Sequence, residues 1–118
     1  MTAEKQFENK VKRFLQGIGV YPLGSPEEKV INPAGSYFKV WGGGYQKSGI
    51  PDLICDISGK FVAIELKAEN GRPSELQIHN IKQIRRYGGQ GCFLYPSGFK
   101  QFQEDIQKHN FRLKEEYR

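Results

Sequence analysis

The sequence predicts a single α/β domain over residues 1–118, with a mixed central sheet flanked by helices and the element order α-β-β-β-α-β-α. Three observations lead to this prediction. Apolar residues recur at helical spacing near both ends and in the third quarter of the chain, short runs rich in β-branched and aromatic residues lie between them, and turn residues separate the segments. A chain of 118 residues is long enough for one hydrophobic core.

Three stretches carry the apolar stripe of an amphipathic helix. Residues 4–16 place four apolar side chains on one face and end before two nearby glycines. Residues 74–87 have isoleucines on the face predicted to point inward and are again followed by a glycine pair. A third stripe begins at Phe99 and indicates a final helix.

Four short runs predict the strands of the sheet: residues 36–41, 52–57, 60–67 and 91–95. The second and third runs are separated by Ser58-Gly59, which is typical of a tight hairpin turn. Residues 21–35 are rich in proline, glycine and charge, so we expect a surface connection there.

The composition limits the classes of function. Lysine and arginine outnumber aspartate and glutamate by 18 to 13, a formal charge of +5 that favours a polyanionic partner such as nucleic acid, although a mildly basic surface explains the same excess. Cys55 and Cys92 lack the spacing of a zinc site and are expected to be buried free thiols. No apolar run approaches the ~20 residues that cross a bilayer, so we expect an intracellular, cytoplasmic protein without a membrane partner.

The predicted hairpin brings two acidic residues together. With a two-residue turn at Ser58-Gly59, Asp52 lies directly opposite Glu65. Opposed side chains have Cβ atoms about 4.5–5.5 Å apart, so two carboxylates there need a cation or a shared proton between them. Mg²⁺ and Mn²⁺ suit such a site because they prefer oxygen ligands. Lys67 follows Glu65 by two residues and therefore falls on the same face of the strand.

These three residues have the chemistry that phosphodiester hydrolysis requires. A divalent ion held by Asp52 and Glu65 can polarise a phosphate and lower the pKa of a bound water. Lys67 can orient that water or offset the developing negative charge. The alternative is structural: Asp52 begins a strand after Pro51, and Glu65 and Lys67 lie on a solvated edge.

The string Gly49-Ile50-Pro51-Asp52-Leu53, followed by Glu65-Leu66-Lys67 and by Gln77 in the next helix, resembles the PD-(D/E)xK nuclease superfamily. Within it, the predicted element order is similar to the VRR-NUC branch, which includes short stand-alone proteins of phage type, and to archaeal Holliday-junction resolvases. The resemblance covers residues 4–96 and implies a restriction-endonuclease-like fold in a bacterial or phage-infected cell.

The resemblance also implies roles for residues on the predicted hairpin. Asp52 and Glu65 would be metal ligands, joined by the backbone carbonyl of Leu66. Lys67 would be the catalytic lysine.

Two further candidates come from the predicted helices. By the resemblance, Gln77 would lie beside the site, although Ser74 and Gln77 also fit a capping box, in which the glutamine serves the start of its own helix. Related nucleases add a catalytic glutamate from the first helix. Glu8 fits that position best, Glu4 one turn earlier is the second choice, and a solvated helix face is the alternative for both.

Basic and polar side chains near the predicted site are candidates for contacts with the DNA backbone. The candidates are Lys39, Lys47 and Ser48 before the Pro-Asp strand and Lys82, Arg85 and Arg86 on the middle helix. An ordinary exposed loop is the alternative for the first three.

The sequence thus predicts a metal-dependent, structure-selective DNA endonuclease that resolves Holliday junctions or other branched DNA in recombination and repair. We expect a homodimer, from the resemblance and because symmetric cleavage of a four-way junction needs two sites, whereas one small domain offers one. Two alternatives remain open: a nucleic-acid-binding module that does not cut, and an RNA-processing nuclease.

Overall fold

The computed structural model describes residues 1–41 and 49–118, which form an α/β fold with a six-stranded mixed sheet and three α-helices. The elements are α1 (Ala3–Gly17), β1 (Val20–Pro22), β2 (Gly35–Lys39), β3 (Leu53–Ile57), β4 (Lys60–Leu66), α2 (Glu75–Arg86), β5 (Gln90–Leu94), α3 (Phe99–Gln107) and β6 (Glu116–Tyr117). None of the helices within these residues is long and apolar enough to span a bilayer.

The strands lie side by side in chain order, from β1 at one edge to β6 at the other. The pairs β2–β3 and β3–β4 are antiparallel, whereas β1–β2, β4–β5 and β5–β6 are parallel. The crossover from β4 to β5 runs through α2, as parallel pairing requires a long connection. The predicted α/β class with a mixed sheet and flanking helices is confirmed.

The two faces of the sheet are covered by different helices. Val62, Ile64 and Leu66 alternate along β4 and are buried with the apolar stripes of α1 and α3 in the main core. On the opposite face, Ile81 of α2 packs with Phe93 and with other aromatic and aliphatic side chains in a smaller cluster. Glu65 is paired with Phe93 and lies on this second face, next to α2.

Helices α1 and α2 each begin at a residue whose side chain caps the first turn. The side chain of Thr2 accepts a hydrogen bond from the backbone N–H of Lys5 at the start of α1. At the start of α2, Ser74 and Gln77 form a complete capping box.

The two cysteines are buried and free, as predicted.

The predicted order lacks β1 and β6. Val20–Pro22 includes part of the segment predicted as a surface connection, and no element is predicted over Glu116–Tyr117. Strands of three and two residues are too short for an alternating pattern to be read from the sequence. They are held by tertiary contacts, because Val20 and Tyr117 are buried in the core and the Tyr117 hydroxyl donates to Asp105.

The hairpin between β3 and β4 has the predicted register. Ser58 and Gly59 adopt positive φ values of 51° and 78°, the conformation of a two-residue type I′ turn, whose twist matches that of the strands. Ile57 pairs with Lys60 and Leu53 pairs with Ile64, so each facing pair has the predicted partner. This turn therefore determines which side chains meet at the open end of the hairpin.

Candidate functional site

Asp52 lies at the open end of the β3–β4 hairpin, one residue before β3. Its carboxylate Oδ2 accepts a hydrogen bond of 2.8 Å from the backbone N–H of Leu66. The β3–β4 ladder ends at the pair Leu53 and Ile64, so Asp52 and Glu65 are the next residues beyond it on the two chain segments. Where the backbone ladder ends, the next hydrogen bond between the two segments is therefore accepted by the Asp52 side chain instead of a backbone carbonyl.

Glu65 is buried in a place that does not suit a carboxylate. It is 4% exposed, and its Oε1 has no hydrogen-bond partner among the residues that the structure describes. Burial, and after it the nearby carboxyl group of Asp52, raise its pKa to about 8, against a smaller lowering by Lys67. The two carboxyl groups are therefore close enough to repel each other or to share a proton.

Lys67 follows β4 directly and lies on the Glu65 side. Its Nζ is 4.0 Å from Oε2 of Glu65, and most of its side chain is buried. We call Asp52 and Glu65 the acidic pair. The ammonium group of Lys67 lies at the edge of this pair and forms no short ion pair with Glu65, so it can contact an anion. Asp52, Glu65 and Lys67 are brought together as the hairpin register predicted.

Gln77 both caps its own helix and contacts Glu65. Its side-chain Oε1 accepts from the backbone N–H of Ser74 at 3.0 Å, which completes the capping box. Its Nε2 donates to Oε2 of Glu65 at 3.3 Å. Because the cap occupies the oxygen of the amide, the nitrogen is the end that faces Glu65. The helix cap therefore orients the amide toward the acidic pair.

The backbone carbonyl of Leu66 has an orientation suited to the same site. In an extended strand the N–H and C=O of one residue point to the same side, and the Leu66 N–H points at Asp52. The next residue, Lys67, donates its N–H in the other direction, to the carbonyl of Leu94. The Leu66 carbonyl is thus directed away from β5 and toward Asp52.

These donors fit a hard divalent cation. Two carboxylates, one of them with an unpartnered buried oxygen, and a backbone carbonyl are oxygen ligands of the type that Mg²⁺ and Mn²⁺ prefer. Within residues 1–41 and 49–118, no group of three or more His, Cys, Asp or Glu side chains could hold a metal. An ion at Asp52 and Glu65 would therefore complete its coordination with backbone, water or substrate oxygens.

Glu8 is also buried but is surrounded by lysines. Its carboxylate forms ion pairs with Lys5 at 2.8 Å, with Lys12 at 2.9 Å and with Lys39. Burial by itself would raise its pKa, but hydrogen bonds from the three ammonium groups outweigh burial and lower the pKa to about 2. We call Glu8 with Lys5, Lys12 and Lys39 the lysine cluster.

Part of the lysine cluster borders Asp52 across a cavity of about 200 Å³. The cavity is lined by Thr2, Glu4, Lys5, Glu8, Lys39 and Asp52. Of the two glutamates considered for the first helix, Glu4 is exposed, and its charge contributes to the raised pKa of Glu65. Glu8 reaches the cavity with its carboxylate already bound to lysines.

The other residues predicted to contact DNA have mixed environments. Lys82 forms an exposed ion pair with Glu115 at 3.1 Å. Arg85 donates to the carbonyl of Gly91 at 2.8 Å and lies 3.9 Å from Glu115. Arg86 is exposed. Glu115 therefore offsets part of the positive charge expected on this face of α2.

Lys47 and Ser48, the other two predicted contacts, lie outside the residues that the structure describes.

Sequence reasoning missed Lys5, Lys12 and Trp41. Lys5 and Lys12 stand three residues before and four after Glu8, which is the spacing of ion pairs on one helix face, so the signal was present. The Nζ of Lys39 lies 4.8 Å from the centre of the Trp41 ring, and that of Lys5 lies 5.9 Å from it. The contact of Lys5 joins α1 to the segment after β2, so no local pattern predicts it.

No protein-family model, curated protein or solved structure matches this chain. The interpretation of the site therefore depends on its own residues and geometry.

Proposed function

We propose that this protein is a metal-dependent DNA endonuclease that hydrolyses phosphodiester bonds, with a PD-(D/E)xK site on a restriction-endonuclease-like fold of the VRR-NUC type. The observation that carries the proposal is the meeting of Asp52, Glu65 and Lys67 at the open end of one hairpin. A carboxyl group whose pKa is raised to about 8 by burial and by a second carboxyl group beside it is costly in a purely structural position. A cation removes that cost.

Each residue has a role that follows from its position. Asp52, Glu65 and the Leu66 carbonyl would hold Mg²⁺ or Mn²⁺. When bound, such an ion supplies positive charge that polarises a phosphate and lowers the pKa of a water. Lys67 presents an ammonium group where it can offset the negative charge that develops at phosphorus. Gln77 holds Oε2 of Glu65 in place through its amide nitrogen.

Branched DNA, including four-way junctions, is the proposed substrate, with recombination and repair as the setting and a homodimer as the active form. The excess of basic residues favours a polyanion. The two-fold arrangement follows from the chemistry of resolution, because symmetric cuts need two sites and each chain carries one candidate site. Sedimentation of the purified protein measures its oligomeric state directly. A monomer under cleaving conditions would contradict the proposed dimer.

A module that binds nucleic acid without cutting it is the first rival. The paired carboxylates argue against it, since they repel a phosphate backbone and bring no benefit to a binder that lacks a cation. An RNA-processing nuclease is the second rival, and the geometry of the site does not separate it from a DNA nuclease.

The deciding experiment is cleavage of synthetic four-way, flap and linear duplex DNA, with matched RNA junctions, in Mg²⁺, Mn²⁺ or EDTA. We expect cleavage of branched DNA with either metal and none in EDTA. Glu65→Ala should abolish cleavage and retain binding. Cleavage in EDTA, or a Glu65→Ala variant that behaves as wild type in both assays, would refute the nuclease proposal. Cleavage of RNA alone would favour the second rival.

A further inference from the structure

Trp41 is the single tryptophan of the chain and lies two residues beyond β2, at the rim of the lysine cluster. Its side chain is 66% exposed, whereas the aromatic side chains of the core are almost fully buried. Hydrophobic packing therefore does not account for its position. Instead, the ammonium groups of Lys39 and Lys5 lie 4.8 Å and 5.9 Å from the centre of its ring.

Glu8 keeps two of its lysine partners near this ring. The carboxylate binds Lys5 and Lys39 directly, and Lys12 adds a third cation to the same group. Three ammonium groups around one carboxylate leave an excess of two positive charges. Glu4 and Asp52 add negative charge to the cavity that the cluster lines. The lysine cluster thus holds the ammonium groups of Lys5 and Lys39 in a defined geometry beside an exposed indole.

The same cluster is continuous with the proposed cleavage site. Lys5, Glu8 and Lys39 line the cavity that also contains Asp52. A strand whose phosphate reaches Asp52 would therefore have a neighbouring nucleotide within reach of the lysines and Trp41.

We propose that Trp41, Lys5 and Lys39 bind one unpaired nucleotide of the DNA strand at the cleavage site, the indole stacking on the base and the lysines contacting its phosphate. Stacking on an aromatic ring together with cationic contacts to the backbone is how single strands are held without sequence preference. A base inside a continuous duplex is already stacked on both sides and offers no free face. This inference rests on the proposed nuclease function and specifies its substrate as a strand with an unpaired base.

The test uses the fluorescence of Trp41, which reports on this site alone because the chain has one tryptophan. The full-length protein in EDTA is titrated with a single-stranded oligodeoxynucleotide, with an abasic strand of equal length and charge, and with a duplex. We expect quenching by the single strand and weak quenching by the other two, with the abasic strand binding about 5- to 100-fold more weakly. Equal affinity and equal quenching for the normal and abasic strands would overturn the inference.

Variants give a second measurement by anisotropy of a labelled strand. Trp41→Ala should weaken binding to the single strand about 5- to 100-fold, Trp41→Phe should restore most of it, and neither should alter binding to the abasic strand. Tyr87→Ala is the matched control, because Tyr87 is 78% exposed but lies beside Phe61 and Ile84 instead of the cavity. A Trp41→Ala variant that binds the normal strand as wild type does would also overturn the inference.

The failures of the two proposals are distinguishable. Binding in EDTA does not depend on cleavage, so stacking without any metal-dependent cutting would refute the nuclease and leave the nucleotide site intact. Metal-dependent cutting with no contribution from Trp41 would refute the nucleotide site and leave the nuclease intact.

Discussion

Glu8 and Glu65 are two buried carboxylates, 6% and 4% exposed, that border the same region of the molecule and yet differ in every electrostatic respect. Three lysines surround Glu8, and its pKa is lowered to about 2. Glu65 faces a second carboxylate, and its pKa is raised to about 8. Burial raises the pKa of both groups, so the opposite outcomes come from the unlike charges nearby together with the deeper burial of Glu65.

The comparison distinguishes a carboxylate whose charge is balanced by cations within the chain from one whose charge is not, and we call the second, Glu65 with Asp52 and Lys67, the incomplete site. Glu8 has all the cations it needs within the chain, so it stabilises the fold and positions lysines. Glu65 has one lysine at 4.0 Å and an oxygen without a partner among the described residues, so its ionised form is costly to the fold, and the proposed cation would offset that cost. Such a pair of titratable groups with pKa values pushed apart is typical of functional sites.

The largest expected effect is the loss of cleavage when the incomplete site is altered. Glu65→Gln and Lys67→Ala should each lower the rate of DNA cleavage by at least about 100-fold, because each removes a charge that acts on the reacting phosphate. Rates with Mg²⁺ or Mn²⁺ at saturating protein measure this. Asp56→Asn is the matched control, since Asp56 is an exposed carboxylate on the same face of the same hairpin. A loss in Asp56→Asn as large as that in Glu65→Gln would point to a general effect of removing a carboxylate instead.

The next effect concerns the stability that Glu8 provides. Its folded pKa of about 2 lies below the ordinary 4.5, so its contribution is present above pH 4.5 and is lost as the pH falls toward 2. Glu8→Gln should therefore lower the free energy of unfolding at pH 7 by about 2 kcal/mol. Urea unfolding at pH 7 and pH 3 measures the gap between variant and wild type. A gap that does not narrow at pH 3 would contradict the charge-based explanation.

The stability that Glu65 contributes should depend on pH in the opposite direction. Its folded pKa of about 8 lies above the ordinary 4.5, so the stability it contributes is present below pH 4.5 and is lost as the pH rises through 8. In EDTA at pH 9, Glu65→Gln should be more stable than wild type by about 1–2 kcal/mol, with the gap closing near pH 5.

Thermal unfolding with and without Mg²⁺ extends the Glu65 test. The ion should stabilise wild type through mass action and have little effect on Glu65→Gln. Equal stabilisation of both proteins by Mg²⁺ would mean that the ion binds elsewhere.

The contrast between the two glutamates was only partly predictable from the sequence. The site of Glu65 follows from a local rule, because the two-residue turn at Ser58-Gly59 determines the pairing of every residue along the hairpin and alternation then places Lys67 on the same side. The surroundings of Glu8 depend on a contact between α1 and β2 that brings Lys39 to it across 31 positions of sequence. Periodicity within one element carries no information about such a contact.

The outer parts of the fold were missed for a related reason. β1 and β6 have three and two residues, and their pairing with β2 and β5 depends on neighbours that only the folded chain supplies. Gln77 is the intermediate case. Its capping role is predictable from Ser74 three positions earlier, whereas its hydrogen bond to Glu65 requires α2 to lie over β4 and β5.

The smallest expected effect concerns the hydrogen bond from Gln77 to Glu65 and its contribution to cleavage. Ser74→Ala removes the cap and should cost about 1 kcal/mol of stability. Gln77→Ala removes one half of the same capping box and also the contact with Glu65, so the two variants are expected to be similarly stable but to differ in cleavage. At a temperature where both are folded, Gln77→Ala should cleave several-fold more slowly than Ser74→Ala. Equal rates would mean that Gln77 serves its helix alone and that Asp52, Glu65 and Lys67 act without it.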